Sequence, residues 1–337
     1  TYCTDRYTGP VRTAASVLWP SGRAGHGLGM ETEESRNPVA TTAVRATGTT
    51  TSLRDYIALT KPRHVLPSTL TTWVGMALAA PGPLPARLVA ATLAGTALAI
   101  AGAHVYNAIL DRDLDGLMDR TRHRPLPSGR VAVWQAAVWG TVLSAASLAI
   151  MLLLVNGLAA LLTVAGIFLY VVVYTFWLKR RSPWNTLAGG FSGGAPPLIG
   201  WAAASGSLSW AAGVLFGIMV VWQPLHFFAL SLKVADDYRR AGFPMVVVVH
   251  GEQATLNQIV VYSLILAILA PLFTPLGVTG TAYLVVALAL SGIYVAAAVR
   301  AAREGPARAK FWGTWLLRYA FIDLTLLLVT AVLNRTV

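Results

Sequence analysis

Apolar stretches of bilayer length recur along this chain, and no other feature limits its fold so tightly. About 20 mostly apolar residues in a helix cross the roughly 30 Å hydrocarbon core. Segments of that kind run near 65–82, 86–106, 132–155, 157–178, 186–204, 210–231, 257–276, 279–299 and 312–333. Composition agrees, with 55% of residues apolar and 12% charged, where a soluble domain carries about 25% charged. The reading is an all-α polytopic membrane protein, a bundle of about nine transmembrane helices.

A net charge of +12 could indicate nucleic acid, but the cations sit in alternate loops. Arg112, Arg120, Arg122, Arg124 and Arg130 follow the second span, and Lys179, Arg180 and Arg181 the fourth. Lys233, Arg239 and Arg240 follow the sixth, and Arg300, Arg303, Arg308 and Lys310 the eighth. The intervening loops hold little beyond Arg87. This is the positive-inside pattern, which excludes a nucleic-acid partner. It predicts a cell-membrane protein with its N-terminus and charged loops cytoplasmic and its C-terminus outside. The lone cysteine, Cys3, rules out an internal disulfide and any cysteine metal site. Residues 1–52 lack apolar periodicity and read as a disordered cytoplasmic tail before a membrane domain at 53–337. Because the chain opens on Thr1 without a secretory signal, Met30 is an alternative start.

The chemistry concentrates in NAILDRDLDGLMDRTRHRPLP, 107–127. Asn107, Asp111 and Asp115 are spaced by four, so on a helix they share one face, about 6 Å apart. Like charges so spaced repel and are costly at a membrane helix end. Oxygen ligands of this kind suit Mg²⁺. The arginines that follow are the residue type that grips phosphate oxygens. Together they read as a Mg²⁺–diphosphate site at a membrane surface.

A second segment, WQPLHFFALSLKVADDYRRAGFPM at 222–245, places Lys233 four residues before Asp237, with Asp236 and Tyr238 adjacent. Two readings stand. Either this loop joins the first over one diphosphate, with Lys233 on phosphate and Tyr238 donating a hydrogen bond, or Lys233 and Asp237 form an ordinary helix-surface pair. Gly189, Gly190, Gly193 and Gly194, ahead of Pro196 and Pro197, read as tight helix packing or as the wall of an apolar cavity. His226 and His104 are either packing histidines, or ligands for haem iron or proton carriers. Arg318 and Asp323 are expected to neutralise each other structurally.

The N-x3-D-x3-D pattern at 107, 111 and 115 resembles the intramembrane prenyltransferase superfamily, which includes the 4-hydroxybenzoate polyprenyltransferases. DRDLDGLMDRTRHRPLPSGR from Asp111, LTKPR at 59–63, GGFSGGAPPLIGW at 189–201 and DDYRRAGFPM at 236–245 most resemble its protohaem IX farnesyltransferase branch, the haem O synthases. The resemblance covers residues 53–333. It implies nine transmembrane helices around a central cavity with a cytoplasmic cap. The activity it implies is transfer of farnesyl from farnesyl diphosphate to the 2-vinyl group of haem B, with water addition, giving haem O and diphosphate. Carried over by position, Asn107, Asp111, Asp115, Lys233, Asp237 and Tyr238 form the catalytic set. Asp111, Asp115, Asp236 and Asp237 hold Mg²⁺, and Arg120, Arg124, Lys61, Arg63 and Lys233 bind diphosphate. His226 matches the family's histidine and would face haem B, His104 remains a haem-ligand candidate from its position alone, and a downstream haem-modifying enzyme is the implied partner.

Three rivals remain at this level. A quinone-precursor prenyltransferase shares the acidic motifs, a transporter shares broken helices and intramembrane acids, and a haem-binding assembly factor shares the histidines.

Overall fold

The computed structural model describes residues 51–336, so Cys3, Met30 and all but the last two residues of the tail expected over 1–52 lie outside the described residues. In chain order the helices are α1 (Leu53–Leu59), α2 (Pro62–Ala79), α3 (Ala86–Leu110), α4 (Arg112–Leu117), α5 (Val133–Ile150), α6 (Gly157–Phe168), α7 (Asn185–Gly193), α8 (Ala195–Ser205), α9 (Trp210–Lys233), α10 (Ala235–Arg240), α11 (Val246–Val249), α12 (Gly251–Leu269), α13 (Thr281–Glu304) and α14 (Ala309–Leu333). Wider π turns prolong α5 over Met151–Val155 and α6 over Leu169–Leu178. One bridge, Thr279 to Arg335, is the sole β pairing among the described residues.

Seven helical segments among the described residues are long and apolar enough to cross a membrane. They correspond to the expected spans at 86–106, 132–155, 157–178, 210–231, 257–276, 279–299 and 312–333. The other two expected spans are not among these seven, so the count of about nine is not confirmed. The segment at 65–82 falls on α2, whose 18 residues begin with polar ones. That at 186–204 breaks at Gly194 into α7 and α8, with Pro196 and Pro197 in the first turn of the second helix. Proline supplies no amide hydrogen and suits a helix start better than an interior.

The burial pattern identifies the solvent. Thr92, Thr96, Thr163, Ser147 and Ser263 are buried, while Leu153, Leu161 and Ile268 are exposed. All of these hydroxyls except that of Thr96 bond to backbone, as in Ser147 Oγ donating to the Gly95 carbonyl at 2.6 Å. Lipid makes outward leucine costless and leaves packing to small and polar residues. At the α2–α8 crossing the backbones touch. A Cβ on Gly75 would lie 2.0 Å from the Pro197 carbonyl oxygen, and one on Gly200 1.9 Å from that of Thr72. Gly190, Gly193 and Gly194 similarly press α7 and its junction with α8 onto Val220, Gln223 and Phe216 of α9. Tight packing is therefore the role these glycines fill.

The largest core joins α9 to α12, α13 and α14, around Leu215, Phe228, Leu256, Tyr294 and Leu316. Smaller ones tie α1 to α3 and α5, and α2 to α6 and α8. Asp323 corrects an expectation. It is 1% exposed, its Oδ2 lacks a hydrogen-bond partner, and Arg318 lies on the exposed face. Five residues apart on one helix point about 140° apart, so the pair cannot meet.

Candidate active site

Site construction begins where α3 ends. Asp111 (φ −91°, ψ 0°) joins α3 to α4, so the expected single helical face is bent there. The four-residue ladder nevertheless continues, with the Asp111 amide on the Asn107 carbonyl at 2.9 Å and the Asp115 amide on the Asp111 carbonyl at 2.8 Å. Asn107, Asp111 and Asp115 are 2%, 3% and 4% exposed. Buried carboxylates require partners. Asn107 Nδ2 donates to Asp111 Oδ2 at 2.8 Å and to Thr175 Oγ1 at 3.2 Å. Lys179 Nζ reaches Asp111 Oδ2 at 2.5 Å, and Arg124 Nη1 reaches Asp115 Oδ2 at 2.7 Å. Asp111 Oδ1 is buried with no partner. An orphaned, desolvated carboxylate oxygen is a fitting ligand for a hard divalent cation.

Lys61 closes this cluster. Its Nζ donates to Asn107 Oδ1 at 2.5 Å. It is the only non-glycine residue with positive φ among the described residues (φ 51°), a conformation costing about 1–2 kcal/mol. Pro62 disfavours the right-handed helical region for the residue before it. Burial first, then the neighbouring Arg124 and Lys179, push the Lys61 ammonium down to about 7, against the opposing pull of Asp111 and Asp115. Lys179, Arg124 and the partly protonated Lys61 thus face two carboxylates, and an incoming polyanion would favour the charged form of Lys61.

In the sequence, the positive-inside pattern alone accounts for Lys179. The π winding of the preceding segment, in which its amide bonds the Tyr174 carbonyl at 2.8 Å, turns Thr175 and Lys179 onto Asn107 and Asp111. Their own four-residue spacing at the end of an apolar run was the available signal.

The second loop lies at the same end. Val234 (φ −120°, ψ 32°) breaks the chain between α9 and α10. Tyr238 is 9% exposed and meets Phe243 edge-on at 6.1 Å, and that ring lies 5.2 Å from Lys179 Nζ. Burial foremost raises the Tyr238 hydroxyl above its usual value, with Tyr174 and Asp237 adding and Arg120 and Lys179 opposing. It stays protonated at neutral pH and can donate a hydrogen bond.

The acids of this loop are engaged locally. Asp236 pairs with Arg239 at 2.8 Å, Asp237 bonds Arg240, and Arg240 also approaches Asp119 at 3.4 Å. The Lys233–Asp237 pair weighed from the sequence is replaced by the Asp237–Arg240 bond, and Lys233 is exposed. Among the described residues no three His, Cys, Asp or Glu side chains form a metal-holding group. Asp111 and Asp115 are therefore not joined by Asp236 and Asp237 in one cluster. Arg63 and Arg120 are exposed. His104 Nδ1 is 3.1 Å from the Tyr170 hydroxyl. His226 stacks on Trp222 at 4.7 Å, with Phe321 at 5.5 Å, and its Nδ1 is buried without a partner.

An all-helical membrane bundle ending in such a cluster defines a class, and comparison agrees. Residues 68–329 match the UbiA prenyltransferase family, and the chain belongs to that family, as a multi-pass membrane prenyltransferase. It is 46% identical over 239 residues to a protoheme IX farnesyltransferase of Gloeobacter violaceus, covering 71% of this chain and 78% of that one. To the protoheme IX farnesyltransferase of Symbiobacterium thermophilum it is 45% identical over 274 residues, 80% and 91% of the two chains. A structure described for digeranylgeranylglyceryl phosphate synthase in membranes aligns with a TM-score of 0.71 at 17% identity, over 84% of this chain and 98% of that one. A UbiA homolog from Archaeoglobus fulgidus bound to GPP and Mg2+ aligns with a TM-score of 0.56 at 16% identity, over 80% and 99%. At these identities the structural likeness is one of fold.

Proposed function

We propose that this chain farnesylates haem B. Farnesyl diphosphate, haem B and water become haem O and diphosphate, with the polar cluster at the cytoplasmic face. The observation that carries the site is the buried Asn107–Asp111–Asp115 face, with its orphaned Asp111 oxygen, beside Lys61, Lys179 and Arg124. The haem acceptor rests on the identity to relatives bearing the protoheme name.

Lys61, Lys179 and Arg124 hold the diphosphate oxygens and neutralise charge as the C1–O bond of the prenyl donor breaks. Mg²⁺, when bound, would be held by Asp111 and Asp115 and would add Lewis-acid neutralisation of the leaving group; Asp236 and Asp237 would supply further oxygens only on exchanging Arg239 and Arg240 for the ion. Tyr238, protonated, donates to a diphosphate oxygen. Lys233, Arg63 and Arg120, exposed at the same end, guide the anion inward. The electron pair of the haem 2-vinyl group forms the new bond to C1. Water then captures the cation left on the vinyl carbon and loses a proton. Holding both substrates together supplies proximity, and the apolar bundle limits early water capture. His226, its ring clamped by Trp222 and Phe321, is the better placed histidine for haem iron, because His104 is already engaged by Tyr170.

The test is mass spectrometry of haems extracted from membranes given labelled farnesyl diphosphate with haem B or 4-hydroxybenzoate. A labelled, hydroxylated haem is expected. Label on 4-hydroxybenzoate alone would transfer the assignment to quinone-precursor chemistry.

A further inference from the structure

Far from the carboxylates, a groove of about 390 Å³ runs between the end of α2, the start of α3 and the end of α14. Trp73, Leu84, Val89 and Val332 give it apolar walls, and Arg335 stands at its rim. Ala77 follows Lys61 by 16 residues along the chain, about 24 Å of helix, so groove and site occupy opposite ends of the bundle. Few cations belong to that end, which makes Arg335 conspicuous.

An arginine at a membrane face ordinarily snorkels towards any headgroup, but this one is tied down. Arg335 Nη1 donates to the Ala77 carbonyl in the last turn of α2 at 2.6 Å. Its backbone bridges Thr279, and the next residue is fixed by the Thr336 amide on the Val278 carbonyl at 3.0 Å and by Thr336 Oγ1 on the Gly277 carbonyl. Guanidinium carries five donors in a rigid fork, and one is used. Among the ion pairs of the described residues none involves Arg335, and no acid lines the groove.

We propose that this groove is a binding site for one anionic phospholipid of the leaflet at that face. Its phosphate sits on the Arg335 guanidinium and an acyl chain lies along Trp73, Leu84, Val89 and Val332. The charge is complementary, guanidinium and phosphate match in geometry, and Trp73, 42% exposed, is the residue type that anchors at headgroup level. The site is independent of the prenyl-transfer machinery.

The test is native mass spectrometry of the full chain released from detergent with phosphatidylglycerol, phosphatidylcholine or farnesyl diphosphate, on wild type, Arg335→Gln, Arg335→Lys and Val332→Trp. Wild type should retain phosphatidylglycerol over phosphatidylcholine by about tenfold, the effect of roughly 1.4 kcal/mol. Arg335→Gln should lose that preference, Arg335→Lys should keep most of it, and Val332→Trp should weaken retention of both lipids. Equal preference in wild type and Arg335→Gln would overturn the proposal. Displacement of phosphatidylglycerol by farnesyl diphosphate from wild type would overturn it too, making the groove a second prenyl-donor site.

Discussion

Asn107 and Asp111 take partners from far along the chain, while Asp115 is held by Arg124 nine residues on. Lys179 is 68 residues from Asp111, and Lys61 is 46 from Asn107. Asp236 and Asp237 instead bond arginines three residues away on the same short helix. The first set is desolvated, with the Asp111 and Asp115 side chains 4% and 5% exposed, whereas Asp236 is 76% exposed. Removing a partner from a buried pair costs several kcal/mol, while an exposed local pair is worth about 0–1 kcal/mol. The first motif is thus preorganised by the fold, and the second can exchange its arginines for a new ligand at little cost. A rigid half and a recruitable half suit a site that must close over a polyanion.

The largest expected effect separates the halves directly. Asp111→Asn should lower prenyl transfer by roughly 10²–10³-fold, the size seen for losing one preorganised electrostatic group, whereas Asp236→Asn should cost about tenfold or less. Steady-state rates on membranes from the two variants check this. Equal losses would erase the distinction.

Lys179→Met comes next. Losing a charged hydrogen bond of about 1.5–3 kcal/mol should raise the KM for farnesyl diphosphate by about 10–100-fold. It should also lower the melting temperature, since Asp111 is left buried without its ammonium. Lys61→Met should raise KM with little loss of melting temperature, because its bond is to the neutral Asn107.

Arg240→Gln should change rates by only a few-fold, since its contacts to Asp237 and Asp119 are exposed and readily replaced by water. A loss approaching that of Asp111→Asn would mean that the second loop is as preorganised as the first.

The smallest effect is acid-dependent. The hydrogen bond from Arg180 holds the Asp113 carboxyl below its ordinary 3.8. A carboxyl lowered by folding contributes stability above its unfolded value and loses it as pH falls through the folded one. Melting temperatures of wild type and Asp113→Asn should therefore differ slightly at neutral pH and converge below about 3.8.

Much of this was readable before the structure. The apolar runs predicted the helical membrane fold, and the spacing at 107, 111 and 115 predicted a shared face, because both are local periodicities; its burial and its bend at Asp111 are set by the packed bundle. Lys179 was hidden, since a cation after an apolar run has a sufficient explanation in topology, and only the π winding turns it inward. The same locality misplaced Arg318 and Asp323, neighbours in sequence that point to opposite sides of α14. Lys61 was found by family resemblance, but its left-handed backbone was not legible, because it depends on how α1 and α2 meet. The break of the 186–204 segment followed from Pro196 and Pro197, while the glycine contacts with α9 and α2 needed the packed bundle.

Calorimetric titration of the detergent-solubilised chain with inorganic diphosphate, with and without Mg²⁺, tests the central claim most directly. Wild type and Asp236→Asn should bind far more tightly with Mg²⁺, and Asp111→Asn should lose that enhancement while melting cooperatively. Undiminished Mg²⁺-dependent binding in Asp111→Asn would contradict the account.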